Sequence, residues 1–276
     1  MSRAAGPGRC IFMSSSTEQT NAHYAPLFSR FSAEVDSDAL RVETQCLAHE
    51  LRQIPGIPEA ALVLDAGCGT GRYSVAWRTL HPAATLVGVD INRTILTRGQ
   101  VNPAALARIN GTLERLPFAS GAFDVVMSRG VIQHTADPRQ ALRELLRVCK
   151  PGGLLYFYTY RHGAYDVVLN QLRRVARGIG TPACSRAIYG ISRLLRLDPR
   201  VPTMILDELF VPIRFAFTEE TILGWLRSSG VALESIRPVE HAQFGSIDLP
   251  IDRRTAWLYR LAPKNGLITL AVHTGA

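Results

Sequence analysis

The sequence predicts an α/β fold, a doubly wound and mostly parallel sheet with helices on both faces, and three observations carry that prediction. A short apolar run at 61–64 (ALVL) meets Asp65 and opens into a loop with glycines at 67, 69 and 71, ahead of a helical stretch. A second run, 85–90 (TLVGVD), again ends on an acid. Asp90 lies 25 residues past Asp65, room for one helix and one turn between neighbouring parallel strands. Further apolar runs at 123–129 and 154–160 alternate with helical periodicity, the rhythm of strand and helix in such sheets.

Each element then follows in order. Residues 1–22 are rich in Ser, Gly and Thr and are expected to be a disordered tail, with Met13 as a second candidate start. Within residues 23–58, Leu27, Phe28, Phe31, Val35, Leu40, Leu47 and Leu51 recur near helical spacing until Pro55 and Pro58 end the pattern. After the glycine loop a helix runs to about Leu80, and 94–108 reads as a further helix. The strand 123–129 leads to His134 and to a helix opened by Asp137 as N-cap with Pro138 at its first position. Ala141, Leu142, Leu145, Leu146 and Cys149 supply its buried stripe, and Lys150-Pro151-Gly152-Gly153 turns the chain into strand 154–160. From 162 to 217 the pattern changes to amphipathic helices over 171–177 and 185–197, separated by Gly178, Gly180 and Pro182. Residues 218–276 begin with Thr218 as the N-cap of a helix ended by Gly230, followed by strands at 231–239 and 267–273.

Composition narrows the class. A chain of 276 residues with 20% charged residues can bury a sizeable core. No apolar stretch approaches the roughly 18 residues of a membrane span, and the 11–13 patch is too short for a secretory leader, so a cytoplasmic location is expected. The five cysteines are scattered without metal-ligand spacing, so neither a disulfide framework nor a metal is expected, and Cys68 reads as a space-filler in preference to a nucleophile. The net charge of +8 is carried mostly by Arg. Arg173, Arg174, Arg177, Arg186, Arg193, Arg196 and Arg200 face Asp198 alone between 171 and 200. That block admits a solvated helix face, steering of an anionic substrate, peripheral membrane contact or RNA phosphates. Aromatics do not alternate with the arginines, which disfavours nucleic acid.

The glycine loop carries the chemistry. Gly67, Gly69 and Gly71 let a ligand lie against the backbone before the helix begins near Arg72. A dinucleotide loop reads G-x-G-x-x-G, and Arg72 stands where its third glycine belongs. Asp65 would repel a pyrophosphate at close range, whereas it attracts a sulfonium or an ammonium. Asp90 at the next strand end suits the two hydroxyls of a ribose; capping its own strand end is the plainer alternative.

Asp65-Ala66-Gly67-Cys68-Gly69-Thr70-Gly71 resembles motif I of the class I S-adenosylmethionine (SAM)-dependent methyltransferases. Asn110 to Phe118 (NGTLERLPF) resembles the family segment that clasps the adenine, and RVCKPGGLLYF resembles the family's R-V-L-K-P-G-G element, so the likeness runs from about 60 to 160. It implies a Rossmann-like, seven-stranded, mostly parallel sheet with an antiparallel last strand and a helical cap inserted after the fifth strand. The implied organisation is a helical lid at 23–58, a SAM-binding core at 59–161, a substrate cap at 162–217 and the closing part of the core at 218–276. The cofactor implied is S-adenosyl-L-methionine. Its implied contacts are Asp65, Gly67, Cys68, Gly69, Gly71, Asp90, Ile91, Thr112, Leu113, Ser128 and Arg129. Thr112 stands at the customary Asp position, so Glu114 or backbone groups would take over that adenine contact, and Thr112→Asp is expected to tighten binding.

Methyl transfer from a sulfonium is an in-line displacement that needs alignment and dryness, with a general base optional. His134, just beyond the 123–129 strand, is the candidate base, with a helix-packing histidine as the rival reading. Tyr24, Tyr160, His162 and Phe215 are candidate substrate contacts, and Phe210, Phe217 and Trp225 suggest an apolar roof. Ser128-Arg129-Gly130-Val131 lacks the N-P-P-Y motif of amide-like N-methylases and the Pro-Cys of cytosine C5 enzymes. The expected function is methyl transfer to a small organic acceptor, as in specialised metabolism. The alternatives are a tRNA or other macromolecular methyltransferase and a non-catalytic SAM-binding regulator. The oligomeric state is not legible in the chain.

Overall fold

Seven strands hydrogen-bond into one sheet in the order β3-β2-β1-β4-β5-β7-β6. The computed structural model describes residues 37–98, 106–197, 200–240 and 267–275, with Gln19 and Ala22. The strands are β1 (Leu62–Ala66), β2 (Thr85–Asp90), β3 (Ala107–Asn110), β4 (Phe123–Arg129), β5 (Cys149–Tyr160), β6 (Ile236–Pro238) and β7 (Leu267–His273). β1 to β5 pair in parallel, while β7 runs antiparallel to both β5 and β6. The order reverses between β1, which continues to β2, and its other neighbour β4. That reversal opens a crevice beyond the carboxyl ends of the strands.

Period-two alternation divides the strands between two cores. Val63, Val125 and Met127 point to the face covered by α1 (Ser37–Leu51) and α2 (Arg72–Leu80), where they meet Leu47, Leu51 and Trp77. Leu64 and Val126 point the other way, onto α4 (Pro138–Val148) and α8 (Glu219–Ser228), where Leu142, Leu145, Ile222 and Leu226 are buried. Asp137 caps α4 by accepting from Gln140 N at 2.9 Å, and Thr218 caps α8 by accepting from Thr221 N at 3.2 Å.

The structure corrects three readings of the sequence. The helix expected over 94–108 is described only as α3 (Arg93–Arg98), and 107–110 is the edge strand β3, paired Val87↔Ala107 through Asp90↔Asn110. Four residues, two of them exposed, leave no hydrophobic alternation to read. Within 231–239 a 3-10 turn at Leu233–Ser235 precedes a strand of only three residues. Leu146 is half-buried at the edge of that core, Val148 is buried in it, and Cys149, read as part of the helix, is the first residue of β5. Apart from Gln19 and Ala22 the tail lies outside the described residues, as do residues 23–36 of the 23–58 segment, Tyr24 among them.

Beyond β5 the chain forms three helices packed on one another: α5 (Ala164–Ile179), α6 (Thr181–Leu194) and α7 (Arg200–Phe210). The last of these has no counterpart in the sequence reading. A parallel bridge, Arg161↔Phe217, joins the entry and exit of this excursion, with Phe217 N donating to Tyr160 O at 2.9 Å and His162 N to Phe217 O at 2.8 Å. Arg173 anchors α5 inside the cluster by donating to the carbonyls of Glu208 and Val211.

Candidate cofactor and acceptor site

The loop between β1 and α2 sits at the carboxyl edge of the sheet. Gly67, Gly69 and Gly71 all have positive φ, at 85°, 51° and 84°. Gly67 is required for a second reason: a Cβ there would lie 2.4 Å from Val131 Cγ2, in the segment that follows β4. The loop's own donors are largely spent. Gly67 N and Cys68 N donate to Val89 O at 2.7 and 3.0 Å, Gly71 N to Cys68 O at 2.8 Å, and Gly69 N to Asp90 Oδ2 at 2.8 Å. A phosphate-binding loop works by turning such N–H groups toward the anion. This one turns them inward and ends two strands in carboxylates.

Asp90 accepts from Gly69 N through one oxygen and from Asn92 N through the other, both at 2.8 Å, so β2, the loop and α3 meet on one side chain. Burial raises its pKa above the usual carboxylate range. Asp65 is buried and accepts from Ser74 Oγ on α2 at 2.5 Å. Burial above all, with Asp90 adding to it, holds its pKa up at about 6 against the Ser74 bond and Arg129, which pull it down. Burial, with both carboxylates behind it, drives the Cys68 thiol well above its ordinary value, and the sulfur packs toward Gly88. Cys68 is therefore a packing residue whose N–H is already committed.

The adenine-type loop is held from below by Gly111 N, which donates to Asp90 O at 3.1 Å. Thr112 donates its hydroxyl to Glu114 Oε2, and Glu114 Oε1 accepts from Ala136 N at 2.9 Å, tying this loop to the segment after β4. A carboxylate thus lies beside Thr112, already committed to Ala136 N and the Thr112 hydroxyl. Leu113 is buried against Val89 and Leu116, and Ile91 is half-buried. Ser128 is fully buried in β4, and its hydroxyl, like the side-chain amide nitrogen of Asn92, has no hydrogen-bond partner among the described residues.

Arg129 departs from its expected part. Its guanidinium is buried in an ion pair with Glu50 of α1, donates to Tyr156 Oη at 2.8 Å and lies 4.2 Å from the Tyr73 ring centroid. Burial works against its charge, but Tyr156 and Glu50, then Tyr73 and Tyr158, outweigh it and keep it protonated. This cluster joins α1 to the floor of the crevice, and sequence reasoning missed it. Its signal was Glu50, a lone acid among Leu47, Leu51 and Ile54 on the buried stripe of α1.

His134 ends a 3-10 turn, Ile132–His134, and its Nδ1 lies 2.8 Å from Ile213 O. A carbonyl only accepts, so Nδ1 carries the hydrogen. Burial lowers its pKa, partly offset by that bond, and its ring meets Tyr160 edge-on at 5.5 Å. Phe215 N also donates to Gln133 O at 2.9 Å, so this turn clamps the segment that returns from α7. His162 is half-exposed and pairs through Nδ1 with Asp166 Oδ2 at 2.9 Å, and Asp166 is itself buried against Arg214. Asp166, Arg214 and Glu208, which accepts from Arg214 Nε at 3.0 Å, had no signal in the sequence beyond their charge. Tyr160 is pushed well up by burial and faces Arg214 at 4.6 Å. Phe215 stays 42% exposed, whereas Phe217 and Trp225 pack edge-to-face at 5.1 Å in the core instead of roofing a pocket. Among the described residues no cluster of three or more His, Cys, Asp or Glu could hold a metal, and no helix is long and apolar enough to cross a membrane.

The cradle fits a SAM-type cofactor on three counts. Paired acids favour positive charge, the spent N–H groups disfavour phosphate, and the buried Ser128 hydroxyl and Asn92 amide nitrogen have no hydrogen-bond partner among the described residues.

Comparison with known proteins agrees. The methyltransferase domain family matches residues 64–157. The chain is 35% identical over 154 residues to a malonyl-[acyl-carrier protein] O-methyltransferase of Erwinia pyrifoliae, covering 55% of this chain and 57% of that protein. It is 39% identical over 137 residues to the protein of the same name from Herminiimonas arsenicoxydans, covering 50% and 51%. The chain thus spans about half the length of the curated relatives it matches. An S-adenosylmethionine-dependent methyltransferase of Thermotoga maritima superimposes with TM-score 0.56 at 16% identity, over 94% of this chain and 99% of that one. The CurJ carbon methyltransferase does so with TM-score 0.52 at 12% identity, over 85% and 54%. Residues 64–157 therefore match the methyltransferase domain family, and the chain has the Rossmann-like fold of the S-adenosylmethionine-dependent methyltransferases.

Proposed function

We propose that this chain binds S-adenosylmethionine in the β1–β2 cradle and transfers its methyl group to a small organic acceptor held above the carboxyl ends of β4 and β5. The observation that carries the reading is the inward turn of the glycine loop. Its N–H groups are used up, one of them on Asp90, leaving carboxylates at the place where a dinucleotide loop offers donors. In this reading Asp90 receives the ribose hydroxyls, and Asp65 supplies the field for the cationic methionine end. Thr112, Leu113 and Ile91 border the adenine. Gly67, Gly69 and Gly71 allow close approach, with Ser128 at the floor. Cys68 and Arg129 act from behind the cradle, by packing and by charge. The cofactor, when bound, supplies an electrophilic methyl on a sulfonium. The chain's residues align the acceptor and exclude water.

The acceptor atom proposed is oxygen, because the relatives matched are named for O-methylation of a malonyl group on a carrier protein. A carboxylate oxygen needs no base, so this acceptor asks nothing of His134 beyond packing. The acceptor is then a small acyl group, free or carried, and the chain works in the cytoplasm. Titration calorimetry with S-adenosylhomocysteine and NAD tests the cofactor. Binding of the first alone is expected, with Asp90→Ala costing about 2 kcal/mol or more. NAD bound with S-adenosylhomocysteine excluded would overturn the reading. Labelled-methyl transfer to malonyl-carrier protein, set against free dicarboxylates, tests the acceptor. Homocysteine-product binding without turnover on either would favour a SAM-binding regulator.

A further inference from the structure

Eleven of the thirteen large apolar side chains exposed among the described residues belong to α5–α7 and the turn after α6. On α5, Val168, Leu172, Val175 and Ile179 are 57%, 54%, 63% and 60% exposed, and their spacing of four, three and four puts them on one stripe. The buried face of the same helix, Asp166, Leu169, Arg173 and Ala176, is a different stripe, already packed in the cluster. Ile191 and Leu194, three apart near the end of α6, are exposed as well, Leu194 at 81%. Scattered exposed leucines need no explanation, but a contiguous stripe does.

The charge beside it is of one sign. Between 167 and 197 the chain has no Asp or Glu, and Arg174, Arg177, Arg186, Arg193 and Arg196 are all exposed. Aliphatic side chains flanked by arginines, with no acid to oppose them, match the chemistry of an anionic bilayer surface. A second copy of this face would set arginine against arginine. A protein partner of ordinary kind is expected to meet aromatic anchors, and Tyr165 is the single aromatic among these exposed residues.

We propose that the exposed face of α5 and the end of α6 docks this protein on anionic phospholipid membranes, the aliphatic stripe entering the headgroup boundary and the arginines pairing with lipid phosphates. The docking is independent of the methyl-transfer reading, since it needs neither cofactor nor turnover.

Vesicle flotation of the full chain tests it, with phosphatidylcholine alone or with about 30% phosphatidylglycerol. The expected result is retention on the anionic vesicles only, weakened by salt. Leu172→Ser with Val175→Ser should lower retention at least about fivefold, and Arg186→Gln and Arg193→Gln about fivefold each. Leu233→Ser, at an exposed apolar residue outside the patch, should change nothing. Matching thermal unfolding midpoints show that the variants fold. Absence of retention, equal retention on neutral vesicles, or indifference to the apolar substitutions would overturn the proposal. So would a dimer in light scattering that Leu172→Ser dissolves, which assigns the face to a second copy. Loss of methyl transfer to a carrier-bound acceptor in the same variants, without vesicle retention by the parent chain, would overturn it in favour of an acidic protein partner.

Discussion

At the scale of single residues, the site is governed by two carboxylates whose burial is opposed by few donors. Asp65 has a pKa near 6, raised by burial and lowered by Ser74. It is ionised above that pH and neutral below it, so its attraction for a cationic ligand is present at pH 7 and lost as pH falls through 6. The affinity for S-adenosylmethionine, measured by calorimetry, should therefore fall between pH 7 and pH 5. Ser74→Ala removes the bond that lowers this pKa, so the loss should begin at higher pH. Thr112 shows how a neighbour reverses an expectation. From the sequence, Thr112→Asp restores a family acid, but the hydroxyl already meets Glu114. A second carboxylate there brings like charges together, at about 1 kcal/mol or roughly a fivefold loss of S-adenosylhomocysteine affinity. Thr112→Asp combined with Glu114→Gln should recover it.

At the scale of elements, the cradle depends on how closely the glycine loop and the segment after β4 approach. Gly67→Ala forces a side chain into φ 85° and against Val131, and should cost about 2–4 kcal/mol in urea unfolding. Val131→Ala in the same chain removes the two nearest carbons and should recover part of that loss, leaving the backbone strain. The Glu50–Arg129–Tyr156 cluster plays the corresponding part between α1 and the sheet. It fastens the described part of the leading helix to the floor of the crevice by buried charge.

At the scale of the whole molecule, the three-helix excursion is fastened at its base and by Asp166 and Arg214, whose side chains are 6% and 4% exposed. Asp166→Ala leaves Arg214 with Glu208 as its remaining carboxylate, a loss of about 1–3 kcal/mol. The anchor ties α5 and α7 to the returning segment and touches the sheet only at Tyr160, the last residue of β5. Hydrogen exchange should accordingly speed up in α5–α7, with protection in β1, β4 and β5 retained. Uniform loss of protection would mean that the excursion and the sheet unfold as one.

What the sequence determined by itself was what local patterning encodes. Apolar runs ending in Asp65 and Asp90 marked β1 and β2, helix caps at Asp137 and Thr218 marked α4 and α8, and the glycine spacing marked the cradle. Each depends on a few consecutive residues and on rules of backbone conformation that need no partner. Tertiary structure alone decided the rest. Whether Arg129 faces a ligand or Glu50 depends on a contact 79 residues apart, and which tautomer His134 adopts depends on Ile213, equally distant. β3 is a strand because β2 offers it an edge. Side-chain hydrogen bonds and ion pairs are satisfied by whichever group the fold brings near, and burial sets what each is worth. The identity of a polar residue is therefore written in the chain, while its task is set by its neighbours in space.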